Sequence, residues 1–317
     1  MFKGTYPRIT RLADGSLLGA VSYGENGETV IAAITSTDEG VTWSPLGVVT
    51  HGTGDISNQY PLQLPSGRIL MAFRNHDKDA NGSYVFFRIT VCFSDDGGKT
   101  WQFLSQAATD PAGPNGNWEP LMRLANDGTL QIYYSRENAA NDQDSLMRTS
   151  TDGGANWTSA NIISGSDVTQ RDGMIGVANY GGDNLLAIFE TTINGKFQVW
   201  SVTSGDDGKT WGNRRIVYAP SDANANAGAP QVVAVGNTLV ASFMTDEDAP
   251  GASGAWPAGA SMKIVTSQDG GATWTQKTTV FNSAPNSFWP GMITLDGTSL
   301  LAVADQAGSK AVRVSLS

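Results

Sequence analysis

The stretch Ser-Asp-Asp-Gly-Gly-Lys-Thr-Trp at positions 94–101 returns four more times with small changes. The copies run Ser36–Trp43, Ser150–Trp157, Ser204–Trp211 and Ser267–Trp274, and all five share Ser-x-Asp-x-Gly-x-(Thr/Asn)-Trp. Local chemistry accounts for the spacing. The Asp carboxylate can accept hydrogen bonds from backbone N–H groups of its own turn, and the Gly two residues on can take positive φ. The Trp ring then anchors the turn by packing against its surroundings. One copy is an ordinary β-turn. Five, with tryptophans 54 to 63 residues apart, define a repeat architecture.

Between the copies runs a second pattern: a strand, a turn rich in Asp and Gly, then a strongly apolar strand. It begins at Tyr6, Tyr60, Glu119, Asp172, Ala229 and Trp289. Marked by Pro7, Pro61, Pro120, Gly173, Pro230 and Pro290, this gives six units of roughly 53 to 60 residues. Each unit reads as four strands, and helical periodicity is hardly visible. The expectation is an all-β chain, a six-bladed β-propeller formed as one domain over residues 1–317.

Composition narrows the partners. The net charge of −10 and pI near 4.6 disfavour nucleic acid and anionic membranes. No apolar run approaches the ~20 residues of a membrane helix. Cys92 is alone and His51 and His76 are the only histidines, so no intrachain disulfide, metal site or cofactor is expected. The opening Met-Phe-Lys-Gly-Thr-Tyr-Pro-Arg-Ile lacks a signal peptide's apolar core. An extracellular location therefore requires a leader absent from this sequence.

A propeller sorts residues by face. With strands A to D counted outward from the channel, starts of A and ends of B share one face. The A–B turn and the repeated C–D motif share the other, so the motif Asp residues are expected to be structural. The functional inventory comes from A starts (Tyr6, Arg8, Tyr60, Trp118, Glu119, Arg171, Asp172, Trp289) and B ends (Arg74, Asn75, His76, Arg136, Glu190, with Asp77, Glu137, Asp246 and Asp305). Charge on an inner strand must be solvated or paired. Two glutamates in adjacent units at one channel mouth favour a functional pair over two separate ion pairs. Facing each other across a sugar, two carboxyl groups are the minimum apparatus for glycoside hydrolysis, with Tyr and Trp as stacking surfaces. His76 is expected to brace a loop or donate to substrate.

The repeated octapeptide is similar to the Asp-box of sialidases and their relatives over essentially the whole chain. That resemblance implies a sialidase-like propeller. Sialidases also hold a substrate carboxylate with three arginines, the first in an Arg-Ile-Pro sequence, and use a Tyr nucleophile. Here Arg8 lies near the first position but in Tyr-Pro-Arg-Ile, the fifth unit opens Ala-Gly-Ala-Pro, and Trp289 stands near the Tyr position. A carboxylate clamp is not expected. Thr5–Ile9, Ala72–Asp77, Asn117–Met122 and Ala187–Thr191 resemble instead glycoside hydrolase family 93, the exo-α-1,5-L-arabinanases. That resemblance implies a monomeric, secreted, retaining enzyme that releases arabinobiose from arabinan, with Glu119 as acid/base and Glu190 as nucleophile. The alternatives are a sialidase or other exo-glycosidase, and a non-catalytic carbohydrate-binding propeller.

The sixth unit supplies strands from Pro290, Ser299 and Lys310, and the sequence ends at Ser317 without a sixth motif. Met1 to Thr5 offer too little chain for a donated strand, so the sixth blade is expected to lack its outer strand in a chain truncated at its N-terminus.

Overall fold

The computed structural model describes residues 3–113, 116–249 and 255–316. These form twenty-three strands in six antiparallel sheets, five of four strands and the last of three. No helix among them is long and apolar enough to cross a membrane. The innermost strands are Thr5–Arg11, Asp55–Gln63, Asn117–Leu124, Gly173–Gly181, Ala227–Val235 and Phe288–Asp296. Each touches the next, and the last touches the first, so the sheets are blades of a closed six-bladed propeller. Leu, Ile, Val and Phe side chains from facing blades fill the seams, as in the layer built by Leu70, Ile89, Met122 and Ile132.

Every Asp-box is the structural staple its chemistry dictates. The Ser hydroxyl donates to the Asp at 2.7–2.8 Å and accepts the Gly N–H at 2.8–2.9 Å. The Thr or Asn N–H returns to the Asp at 2.8–2.9 Å. The five glycines, from Gly40 (φ 84°) to Gly271 (φ 86°), all have positive φ. Their contacts reveal a second role. A methyl group on Gly40 would lie 2.4 Å from Leu301 Cδ2, and one on Gly271 would lie 2.7 Å from Leu186 Cδ1. Gly98 faces Leu18 and Gly208 faces Tyr133 in the same way. Each box therefore seats on the B strand of the preceding blade, and blade one's box on blade six joins the ring's ends.

The inner strands carry a repeat that the sequence pattern hides. Near the mouth of each, two residues oppose a single residue of the B strand, and the first of the two has positive φ. These six residues are Tyr6, Asn58, Glu119, Met174, Ala229 and Trp289, with φ between 44° and 57°. A bulge of this kind turns its side chain out of the strand's alternation. Pro follows in four of the six (Pro7, Pro120, Pro230, Pro290), where a missing N–H costs little because the bulge interrupts the ladder.

This register corrects the unit boundaries expected in two blades. The equivalent of Pro7 is Gln59 in blade two, not Pro61, and Ile175 in blade four, not Gly173. Asn58 therefore takes the rim position assigned to Tyr60. Tyr60 packs among Leu62, Leu121 and Tyr133 and lines the far end of the channel. Blade six has three strands among the described residues, and the outward edge of Ser309–Ser315 has no neighbouring strand.

Candidate active site

The bulges place six side chains around one mouth, and bonds across the blade seams fix them. Arg8 Nη1 donates to the Trp289 carbonyl (3.1 Å), Gln59 Nε2 to that of Tyr6 (2.6 Å), and His76 Nε2 to that of Asn117 (2.8 Å). The Met174 N–H donates to Ser135 Oγ (3.0 Å), and the Ala229 N–H to Glu190 Oε2 (2.7 Å). At the last seam the Ser287 N–H meets the Ala260 carbonyl (2.8 Å). Glu190 occupies the same B-strand position as Ser135, each paired with the residue before a bulge. In one blade that position carries a hydroxyl brace, in the next a carboxylate.

A cavity of about 430 Å³ opens at this mouth, with Glu119 and Glu190 both in its wall. Tyr6, Arg74, Trp118, Glu137, Arg171 and Trp289 from the expected inventory also line it, joined by Thr5, Ser57, Asn58 and Gln143. The two glutamates are unlike. Desolvation above all, then the nearby Glu190 charge, pushes Glu119 up to about 8; Arg74 and a Ser135 hydrogen bond pull it only partly back. Glu119 Oε2 is buried without a hydrogen-bond partner. Desolvation also raises Glu190, but only to about 6, because the Ala229 N–H and the Arg171 charge favour its ionised form. Gly228 makes that contact possible: a methyl group there would lie 2.5 Å from Glu190 Oε2. Across an interval around neutrality the site holds one proton and one negative charge.

Three of the four arginines expected to face substrate are each held by a carboxylate. Arg74 pairs with Asp55 at 2.6 Å and lies 4.8 Å from the Trp118 ring centre. Arg171 pairs with Glu137 at 2.6 Å, closing the wall between blades three and four. Arg136 approaches Asp110 at 3.6 Å and stands outside the cavity wall.

Four other expected residues are structural. Asp172 is fully buried and pairs bidentately with Arg214, which also contacts Gln170 and Thr191. His76 is buried beneath Trp118, its pKa lowered to about 4 chiefly by desolvation, so it is a neutral brace. Asn75 bonds Thr90 on the adjacent strand (3.3 Å). Arg8 is buried under the Tyr6 ring, 4.0 Å from its centre. Thr5 lines the cavity and Arg8 does not.

Thr5, Ser57 and Asn58 were missed because the bulge hides which residue precedes it. Gln143 begins a C strand, a class of position outside the A-start and B-end inventory.

A family model described as a BNR repeat-like domain matches residues 88–249. No curated protein matches the chain. Among solved structures, the family 93 α-L-arabinofuranosidase of Fusarium graminearum, in complex with arabinobiose, superposes with a TM-score of 0.76. It is 21% identical over 99% of this chain and 93% of that one. An α-L-arabinanase of Penicillium chrysogenum, also complexed with arabinobiose, gives 0.75 at 19% identity, with the same two coverages. A Hadza microbial sialidase gives 0.72 at 16% identity, covering 99% of this chain and 66% of its own. These likenesses show the fold, a sialidase-like propeller shared with the family 93 enzymes.

Proposed function

Since the chain belongs to the BNR repeat-like domain family, and its propeller mouth holds two glutamates of unequal acidity, we propose that it is a retaining, exo-acting glycoside hydrolase. Its substrate in this reading is α-1,5-linked L-arabinan, cleaved from the non-reducing end to release arabinobiose. The observation that carries the reading is two glutamates in one cavity wall, Glu190 bonded to the Ala229 N–H and Glu119 Oε2 left without a partner. The choice of sugar draws support from two fungal enzymes of this fold that were captured with arabinobiose. A cell-wall polymer as substrate implies action outside the cell.

The chemistry follows from the two environments. Glu190 attacks the anomeric carbon as the carbon–oxygen bond to the leaving chain breaks, and Glu119 delivers its proton to the departing oxygen. A water then enters, loses a proton to Glu119, and attacks the same carbon, releasing Glu190 and the disaccharide. Trp118 and Trp289 offer ring faces to a sugar. Ser57 and Asn58 in the same wall bring polar side chains for its hydroxyls. With Arg8 off the cavity wall and Arg74 and Arg171 each held by a carboxylate, no clamp is left for a sugar carboxylate, which disfavours a sialoside.

Chromatography of products from debranched arabinan tests the substrate. Arabinobiose as the first and main product is expected; no release from arabinan, with release from a sialoside, would overturn the reading. Azide rescue separates the roles. Glu119→Ala with azide should give a glycosyl azide of retained configuration, and Glu190→Ala one of inverted configuration.

A further inference from the structure

A second and larger cavity, about 680 Å³, lies over the seam of blades six and one. Thr5 lines both it and the catalytic cavity, so the two share a wall. Its floor comes from Ser22 and Tyr23 on blade one and from Asp305 and Ser309 on blade six, with Lys3 and Lys310 at its sides. Ser22 pairs with Thr5 and Asp305 with Phe288, so both stand at the B-strand position that Glu190 occupies in blade four. In blades one and six that position opens into the groove.

Among the described residues, three other stretches of the catalytic cavity are walled. Trp118 rises between blades two and three with Arg74 against its ring. The Arg171–Glu137 pair spans blades three and four. Trp256 comes within 3.3 Å of a methyl position on Gly228 at blade five. An exo-acting enzyme keeps a chain end in the closed part of its cleft, so the rest of the polymer must leave through an open wall.

We propose that the groove over the blade six–blade one seam is a carbohydrate subsite for the leaving side of a neutral polysaccharide chain, with the Tyr23 ring as its stacking platform. The groove is larger than the catalytic cavity, so it has room for at least as much chain. Two hydrogen bonds hold its floor rigid. Asp305 Oδ1 accepts the Gly308 N–H (3.0 Å), and Ser309 Oγ donates to the Gly4 carbonyl (2.9 Å). Lys3 and Lys310 supply donors for sugar hydroxyls, and the Asp305 carboxylate offsets part of their charge, which suits a neutral chain.

The subsite rests on the glycoside hydrolase reading, and chain length separates the two. The measurement is kcat/KM for arabinohexaose relative to arabinotriose, in the wild type and in Tyr23→Leu and Lys310→Ala. Losing an aromatic platform should lower that ratio about tenfold in Tyr23→Leu, and Lys310→Ala should lower it less. Leucine keeps apolar packing against Val21 and Ile34; Lys310 is exposed, so its variant carries the test if Tyr23→Leu does not fold. Hydrolysis of both substrates with an unchanged ratio in folded variants overturns the subsite alone. Hydrolysis of neither by the wild type overturns the enzymatic reading and the subsite with it.

Discussion

Glu119 and Glu190 reach the same cavity by different routes, one as a bulge residue and the other opposite the residue before a bulge. Their pKa values, about 8 and about 6, imply a bell-shaped profile of kcat/KM against pH. Activity should rise through about pH 6 and fall through about pH 8, as the pair titrates in two steps. A profile flat on its basic side would remove Glu119 as the acid. The raised Glu119 pKa also affects stability. The unfolded chain ionises this group near 4.5, while the folded protein keeps it neutral up to about 8. Stability is therefore intact below the unfolded value and declines as pH rises through the folded one. Glu119→Gln should match the wild type in unfolding free energy at pH 4 and exceed it above pH 8, by roughly 3–5 kcal/mol. Gly228→Ala should lower kcat at least tenfold by displacing the Glu190 carboxylate, with its circular dichroism spectrum unchanged. Retained turnover would show that the Ala229 contact is dispensable.

At the scale of the element, the Asp-boxes have the opposite pH behaviour. Hydrogen bonds from the Thr or Asn side chain first, then from the backbone, hold Asp38, Asp152, Asp206 and Asp269 down at about 2, and lower Asp96 similarly. Their stabilisation is complete above the ordinary carboxylate value and is lost as pH falls through the folded value. The fold should accordingly resist acid to about pH 3 and then lose stability steeply. Asp152→Asn should shift that acid transition upward in a circular dichroism titration. An unchanged midpoint would mean that the boxes do not govern acid unfolding.

For the whole molecule, ring closure depends on blade one meeting blade six. Gly40 has positive φ and presses on Leu301, whereas Gly97 has positive φ (78°) with open space beside it. Gly97→Ala should cost about 1 kcal/mol for the left-handed backbone alone. Gly40→Ala should cost about 1–3 kcal/mol more, because the added methyl overpacks the seam. Equal midpoints in urea for the two variants would show that the box–blade contact contributes nothing to closure. The exposed outer edge of Ser309–Ser315 is an association hazard, and sedimentation at rising concentration measures whether the chain stays monomeric.

The five boxes, the blade count, the three strands of the last blade among the described residues and the meeting of Glu119 and Glu190 at one mouth were all legible in the sequence. They rest on short-range signals: a turn's own hydrogen bonds, apolar alternation, and charge set into otherwise apolar strands. The register of the inner strands was not legible. A bulge inserts one residue without changing composition, so only pairing with the B strand showed that Asn58, not Tyr60, faces the mouth. Partners were equally invisible. Asp172, leading into the inner strand of blade four, and Arg214, on its outer strand, are far apart in the chain and meet only in the folded blade, which turns an expected substrate contact into a buried ion pair. Residue types along the chain limit the chemistry available to the mouth; which side chains reach it follows from strand register and from neighbours in other blades, and both exist only once the ring has closed.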